Sequence, residues 1–266
     1  MDPSAGADVL LKIACRTPSN PCPRPIQIVS DNHLKIAGPL LALETSGLRG
    51  SVALATPDPQ SGALRIESMT LPSDARSAQS LAPSIDRLLK MSGVAPQELG
   101  CVSVTVGPGS FTGLRVGVTT AKTLAYATGA SVVAVHTLAA LAEPYLGDSF
   151  TGSVWAVLDA QRGEAFTAEV HDAYASDIET LRVEQASFAG TLEDGAMLVG
   201  PIAERLTGAG ALNLKVHTTE PTAEAVARIG AVHWTAGRTC DLFQLVPDYC
   251  RPSAAEENAD ARERSS

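Results

Sequence analysis

Two carboxylates hold matching places in the chain. Glu44 ends the apolar run Leu40 to Leu43, and Asp159 ends Val154 to Leu158. Each is followed by turn residues and a second run of strand character, Ser51 to Ala55 and Glu164 to Val170. Acids on two facing hairpins suit water or magnesium held between lobes, as hydrolysis or phosphoryl transfer requires. The plain alternative is a pair of turn carboxylates. Glu44 is one methylene longer than an aspartate, and neither turn carries a lysine to hold phosphate.

The second equipped stretch is VTVGPGSFTGLR, residues 104–115. Gly107, Pro108 and Gly109 form a sharp turn after a buried strand, and Ser110 then caps a helix. Such a turn aims free backbone N–H groups and the positive end of the helix dipole at one point, and Arg115 stands one turn further in. Glu44, Gly107, Pro108, Gly109, Ser110, Arg115 and Asp159 are therefore the candidate nucleotide- or anion-binding residues. The glycine spacing matches neither the P-loop nor the dinucleotide fingerprint. Ser110 and Thr112 lack a local base, and the histidines (His33, His136, His171, His217, His233) include no helical metal-binding pair, so His136 reads as a capping or core residue.

The elements behind these residues follow from periodicity. Cys101 to Val106 is a buried strand, and the helix after it runs from Ser110 to Thr128 and stops at Gly129. Gly113, Gly117, Ala121 and Ala125 recur every fourth residue on one line of that helix. Two interior glycines cost roughly 1 kcal/mol each relative to alanine, so a close approach must compensate. Packing against the chain's own sheet and a surface for a partner chain both remain open. Leu81, Ile85, Leu88 and Leu89 mark an amphipathic helix from about Pro83 to Gly93, and Ser131 to Val135 another strand before a helix at Leu138 to Ala142. Past a break at residues 144–152 the hairpin pattern restarts, which makes a weak internal repeat. Strands at 196–199 and 212–217 and helices at 201–206 and 221–235 complete the second half.

Four segments result: a proline-rich flexible extension at 1–38, a lobe at 39–143, a second lobe at 144–252, and a charged disordered tail at 253–266. At 45% hydrophobic, 266 residues suffice for two cores. A net charge of −9 and 4% aromatics argue against a broad nucleic-acid-binding face. Five scattered cysteines without a CxxC pair favour a reduced, cytoplasmic setting, and no apolar run approaches the ~20 residues of a membrane span.

LALETSGLRGSVALA, then VTVGPGSFTGLRVGVTTAKTLAYATGASVVAVHTLAALAE, then VLDAQRGEAFTAE and a closing PDYCRP resemble, in order and spacing over about residues 40–252, the TsaB (YeaZ) family of bacterial tRNA threonylcarbamoyladenosine biosynthesis. The resemblance implies an α/β, actin-like ATPase (ASKHA, Hsp70-like) fold with two lobes, each a mixed sheet that opens with a β-hairpin and is flanked by helices. It implies a scaffold without catalysis of its own. Such a subunit pairs with the catalytic paralogue TsaD, is joined by the TsaE ATPase, and meets tRNA indirectly through the complex. It needs no cofactor of its own, with weak ATP or ADP binding at most and a homodimer as a further state. Metal and ATP belong to the partner subunits.

Departures fit that division. Where TsaD has two metal-binding histidines four residues apart, this chain reads HTLAAL, and neither His136 with Ala140 nor Thr137 with Leu141 supplies the pair. Glu44 replaces the usual aspartate, and Ser77-Ala78-Gln79 stands where the family tends to have His-Ser-Glu. The resemblance assigns the partner surface to Phe111, Gly113, Leu114, Gly117, Ala121 and Ala125, with Leu81 and Ile85. An ASKHA-type kinase or ATPase acting on a small acceptor is the alternative, and a metal-dependent peptidase a more distant one.

Overall fold

A computed structural model describes residues 36–58, 63–72, 77–147, 150, 152–207 and 213–250. The expected tail lies outside these residues, as does all of the expected extension except 36–38. The first sheet is built from β1 (Leu40–Glu44), β2 (Ser51–Pro57), β3 (Leu64–Thr70), β4 (Cys101–Gly107) and β5 (Ser131–His136), in the order β3-β2-β1-β4-β5. β1 pairs antiparallel with β2 and parallel with β4, so the sheet is mixed. The second sheet holds β6 (Val154–Gln161), β7 (Glu164–Val170), β8 (Leu181–Glu184), β9 (Met197–Val199) and β10 (Lys215–His217), in the order β10-β9-β6-β7-β8. Numbered within each lobe, both sheets read 3-2-1-4-5. The repeat suggested by two hairpins is a repeat of topology.

Five layers stack. The outer face of the first sheet is covered by α1 (Ser77–Ser92) and α2 (Phe111–Thr128), and Leu81, Ile85, Leu88 and Leu89 enter a core with Val102, Val104 and Val118. α3 (Thr137–Ala142) and α6 (Ala223–Thr235) lie between the sheets in a single core that takes Leu40 and Ala42 from one and Ala156 and Phe166 from the other. α4 (Gln185–Phe188) and α5 (Ala203–Leu206) cover the far face of the second sheet. Their short turns follow from the scarcity of periodic apolar positions in that part of the sequence.

The residues that close the first lobe come from the far end of the chain. α6 packs on β1, β2, β4 and β5, and its Ser103-facing Gly230 lets the helix backbone sit against the sheet. The segment after it continues on the same lobe. Cys240 N–H donates to Val132 O at 2.8 Å and Asp248 N–H to Val106 O at 2.7 Å. The second lobe is thus inserted between α3 and α6.

In the first lobe two elements depart from the sequence reading, and in the second β8 and α4 have no counterpart in it. α1 begins at Ser77 and carries Pro83 inside it, because the apolar stripe on the buried side outweighs the one hydrogen bond that proline removes on the exposed side. Residues 64–70, read as a loose segment, form the edge strand β3. Its half-buried and exposed residues do not alternate strictly, so no clean strand period marks it.

Candidate functional site

The turn after β1 and the turn before α2 form one locked unit. Ser110 N–H donates to Ser46 O at 2.7 Å, and Thr45 Oγ1 donates to Gly113 O at 2.8 Å. A methyl group on Gly113 would fall 1.9 Å from Thr45 O, and one on Gly117 2.3 Å from Thr45 Oγ1. A side chain at Gly113 would eject the β1 turn, and one at Gly117 would displace the Thr45 hydroxyl from Gly113 O. Ser110 caps α2 by accepting from Gly113 N–H at 3.3 Å, and Gly129 ends the helix in the left-handed conformation.

The glycine–alanine line of α2 therefore serves the chain itself. Gly113, Gly117, Ala121 and Ala125 are buried against the chain's own sheet and the β1 turn, and Leu114, Leu81 and Ile85 are buried with them. This corrects the partner surface drawn from the resemblance, in which these residues faced outward. The close approach that compensates two interior glycines is made by Thr45. Of that set only Phe111 reaches the surface, half-buried with its ring 4.6 Å from that of Tyr249.

The outward face of α2 has a different make-up. It carries Arg115, Thr119, Lys122 and Tyr126 and no acidic residue, although the chain is acidic as a whole. The closing segment runs alongside in the opposite direction. Arg115 stacks over Phe111 at 4.0 Å and its Nε donates to Tyr249 OH at 2.8 Å; further along, Lys122 Nζ donates to Leu245 O at 3.0 Å. Tyr126 is 76% exposed and Phe243 77%, with Val246 and Tyr249 exposed between the helix ends. The ridge is roughly 16 Å long from Arg115 to Tyr126 at 1.5 Å per residue. Sequence periodicity missed it because Phe243, Val246 and Tyr249 lie in irregular chain.

Of the candidate anion-binding residues, the structure gathers Glu44 with Gly107, Pro108, Gly109 and Ser110 at this unit. Arg115 is turned away to Tyr249, and Asp159 is engaged within the other lobe. Asp159 Oδ1 accepts from Gln161 N–H at 2.7 Å, and its Oδ2 accepts from Arg205 Nη1 at 3.1 Å. Glu44 has no solvent exposure. Its Oε1 accepts from Ser46 N–H at 2.8 Å, from Ser46 Oγ, and from Thr105 Oγ1 at 3.5 Å. Oε2 has no partner among the described residues. The carboxyl holds up the turn that holds α2.

Burial pushes the Glu44 carboxyl up to about 7 from 4.5; hydrogen bonds from Ser46 oppose the rise and the Glu220 charge adds to it. His136 caps α3, with Nδ1 accepting from Leu138 N–H at 3.2 Å, so Nε2 carries the proton and donates to Thr180 Oγ1 at 2.9 Å. Burial lowers this imidazole to about 4. Ala140 and Leu141 lie in the core below it.

The relatives of this chain carry a consistent description. The family model for "TsaD: tRNA N6-adenosine threonylcarbamoyltransferase" matches residues 71–231. The chain is 36% identical to the tRNA threonylcarbamoyladenosine biosynthesis protein TsaB of Bacillus subtilis over 128 residues, 48% of this chain and 53% of that protein. It is 30% identical to TsaB of Haemophilus influenzae over 131 residues, 49% of this chain and 53% of that protein. It thus spans about half the length of the curated relatives it matches. Among solved structures it resembles YeaZ from Pseudomonas aeruginosa, with a TM-score of 0.63 and 25% identity over 80% of this chain and 99% of that one.

Two pH effects follow. Between pH 4.5 and about 7 an unfolded chain releases the Glu44 proton while the folded one keeps it, so stability falls as pH rises through that window. Glu44→Gln removes this contribution to the slope and gains up to about 3 kcal/mol above pH 7; urea midpoints at pH 5 and pH 8 check it, and an unaltered slope would refute it. His136 acts in the opposite sense. Its stabilisation is complete above 6.5 and is lost as pH falls toward about 4. His136→Asn keeps a capping acceptor and should lose less stability than the wild type between pH 6.5 and 4, read from thermal melts.

Proposed function

The chain belongs to the TsaD family, on its TsaB (YeaZ) side, and from that membership we propose that it acts in forming N6-threonylcarbamoyladenosine next to the anticodon of tRNA, as a non-catalytic subunit paired with TsaD and joined by TsaE. The observation that carries the non-catalytic part is the start of α3. Where TsaD has its two metal-binding histidines, this chain spends His136 on capping the helix and buries Ala140 and Leu141 in the core. A ligand pair there would require a different core. The kinase-like alternative loses support at Glu44, whose carboxyl is buried and engaged by its own turn.

The surface we assign to TsaD is the outward ridge of α2 with the closing segment. It combines exposed aromatic side chains with the cationic Arg115, a composition common at the centres of protein interfaces. It occupies the same helix as the small-residue line, rotated to the other side.

Two measurements test the proposal. Tyr126→Glu combined with Phe243→Glu should weaken binding to TsaD by at least about tenfold in titration calorimetry and leave the melting temperature within a degree or two, since both side chains are in solvent. Reconstituted tRNA modification with TsaD and TsaE should depend on this chain. Equal product in its absence would sink the functional assignment, whereas intact binding by the double variant would sink only the surface.

A further inference from the structure

The polypeptide crosses between the lobes twice. It leaves the first lobe at Glu143, directly after α3, and returns through residues 218–222 to enter α6. Arg228 lies on α6 just beyond that return, and its Nε and Nη2 donate to Glu143 Oε1 and Oε2 at 2.6 and 2.8 Å. The pair ties the exit from the first lobe to the body of α6. The Glu143 side chain is 7% exposed and that of Arg228 27%, so both planes are largely out of water and the fork geometry is bidentate.

The second lobe grips the same place. Tyr174, in the loop after β7, donates its hydroxyl to Glu143 Oε1 at 3.3 Å. Its carbonyl oxygen accepts from His233 Nε2 and from Arg238 Nη1, each at 3.0 Å. Asp172 Oδ1 fixes this loop by accepting from Tyr174 N–H at 2.8 Å. At the return crossing, Ala223 N–H donates to Ser51 Oγ at 2.9 Å, which ties the start of α6 to β2. α3 and α6 share one apolar core with both sheets. A two-lobed protein that closes on a ligand needs free backbone rotation at its crossings. Here the exit is fastened to the middle of α6 through Glu143 and Arg228, and the start of α6 is fastened to β2 through Ser51.

We propose that Glu143, Arg228 and Tyr174 form a hinge staple that fixes the angle between the lobes, so that the chain is a rigid platform and does not close around a ligand. The staple stands on inter-lobe geometry and is independent of which partner the α2 ridge meets. It assigns to the interior of the molecule the task of presenting that ridge in one orientation. Glu143 is a positioning residue in this sense.

Amide hydrogen exchange on the full chain, with and without Mg-ATP as probe, tests the staple, alongside small-angle scattering. In the wild type, segments 171–175 and 223–228 should exchange slowly, and neither their rates nor the scattering radius should change with Mg-ATP. Glu143→Gln should speed exchange in those two segments by at least about tenfold while β1 and β4 keep their protection. Tyr174→Phe, which removes only one hydroxyl, should do the same to a smaller degree and serves if the first variant does not fold. Acceleration spread evenly over both sheets would reduce the pair to a contributor to global stability and overturn the proposal. So would a wild-type radius that shrinks when Mg-ATP is added.

Discussion

The contact between Thr45 and Gly113 sets the terms for the rest of the molecule. Because the helix backbone comes within touching distance of the β1 turn, α2 is bare at Gly113 and Gly117, and its charged side chains and Tyr126 lie on the opposite face. The same contact brings the Ser46 carbonyl to Ser110 N–H, where an anion would otherwise find a donor. A loop with the composition of a phosphate cradle thus has one of its donors taken by the chain's own backbone. Glu44 completes the arrangement from beneath, since its carboxyl satisfies the two Ser46 donors that the turn would leave orphaned in the core.

Much of this was legible in the sequence, and what was not has identifiable causes. The two hairpins, the β4–α2 element and the capping role of His136 follow from short-range patterns, which carry their own signal in alternation, turn residues and cap chemistry. The orientation of the glycine line was not legible. Periodicity says that four small residues share a face, but it does not say whether a strand or another molecule presses on that face. The deciding atom, Thr45 O, lies 68 residues away from Gly113 in the chain. The ridge beside it was missed for a similar reason: Phe243, Val246 and Tyr249 have no period, and their placement depends on Lys122 and Arg115 reaching out from α2.

The candidate site residues divide along the same line. Glu44 and Gly107 to Ser110 are adjacent because β1 and β4 are neighbours in one sheet, a pairing that alternating strands and helices suggest. Asp159 takes the equivalent place in the second lobe, yet it is exposed and paired with Arg205, whereas Glu44 is sealed. Duplicated topology has been kept while the two acids have diverged in surroundings. One is a buried support and the other a surface ion pair, and burial rather than residue type makes the difference.

The inserted position of the second lobe has a consequence for how the molecule is made. The second sheet is local: its five strands and their helices lie within residues 154–217 and can assemble as that stretch leaves the ribosome. The first sheet is synthesised earlier but stays open on its inner face until α6 arrives, and the edge strand β5 lacks its companion until Cys240 is in place. Order of synthesis and order of completion are therefore reversed. Loss of the last few dozen residues would strike the lobe at the beginning of the chain, leaving the later lobe the better formed of the two.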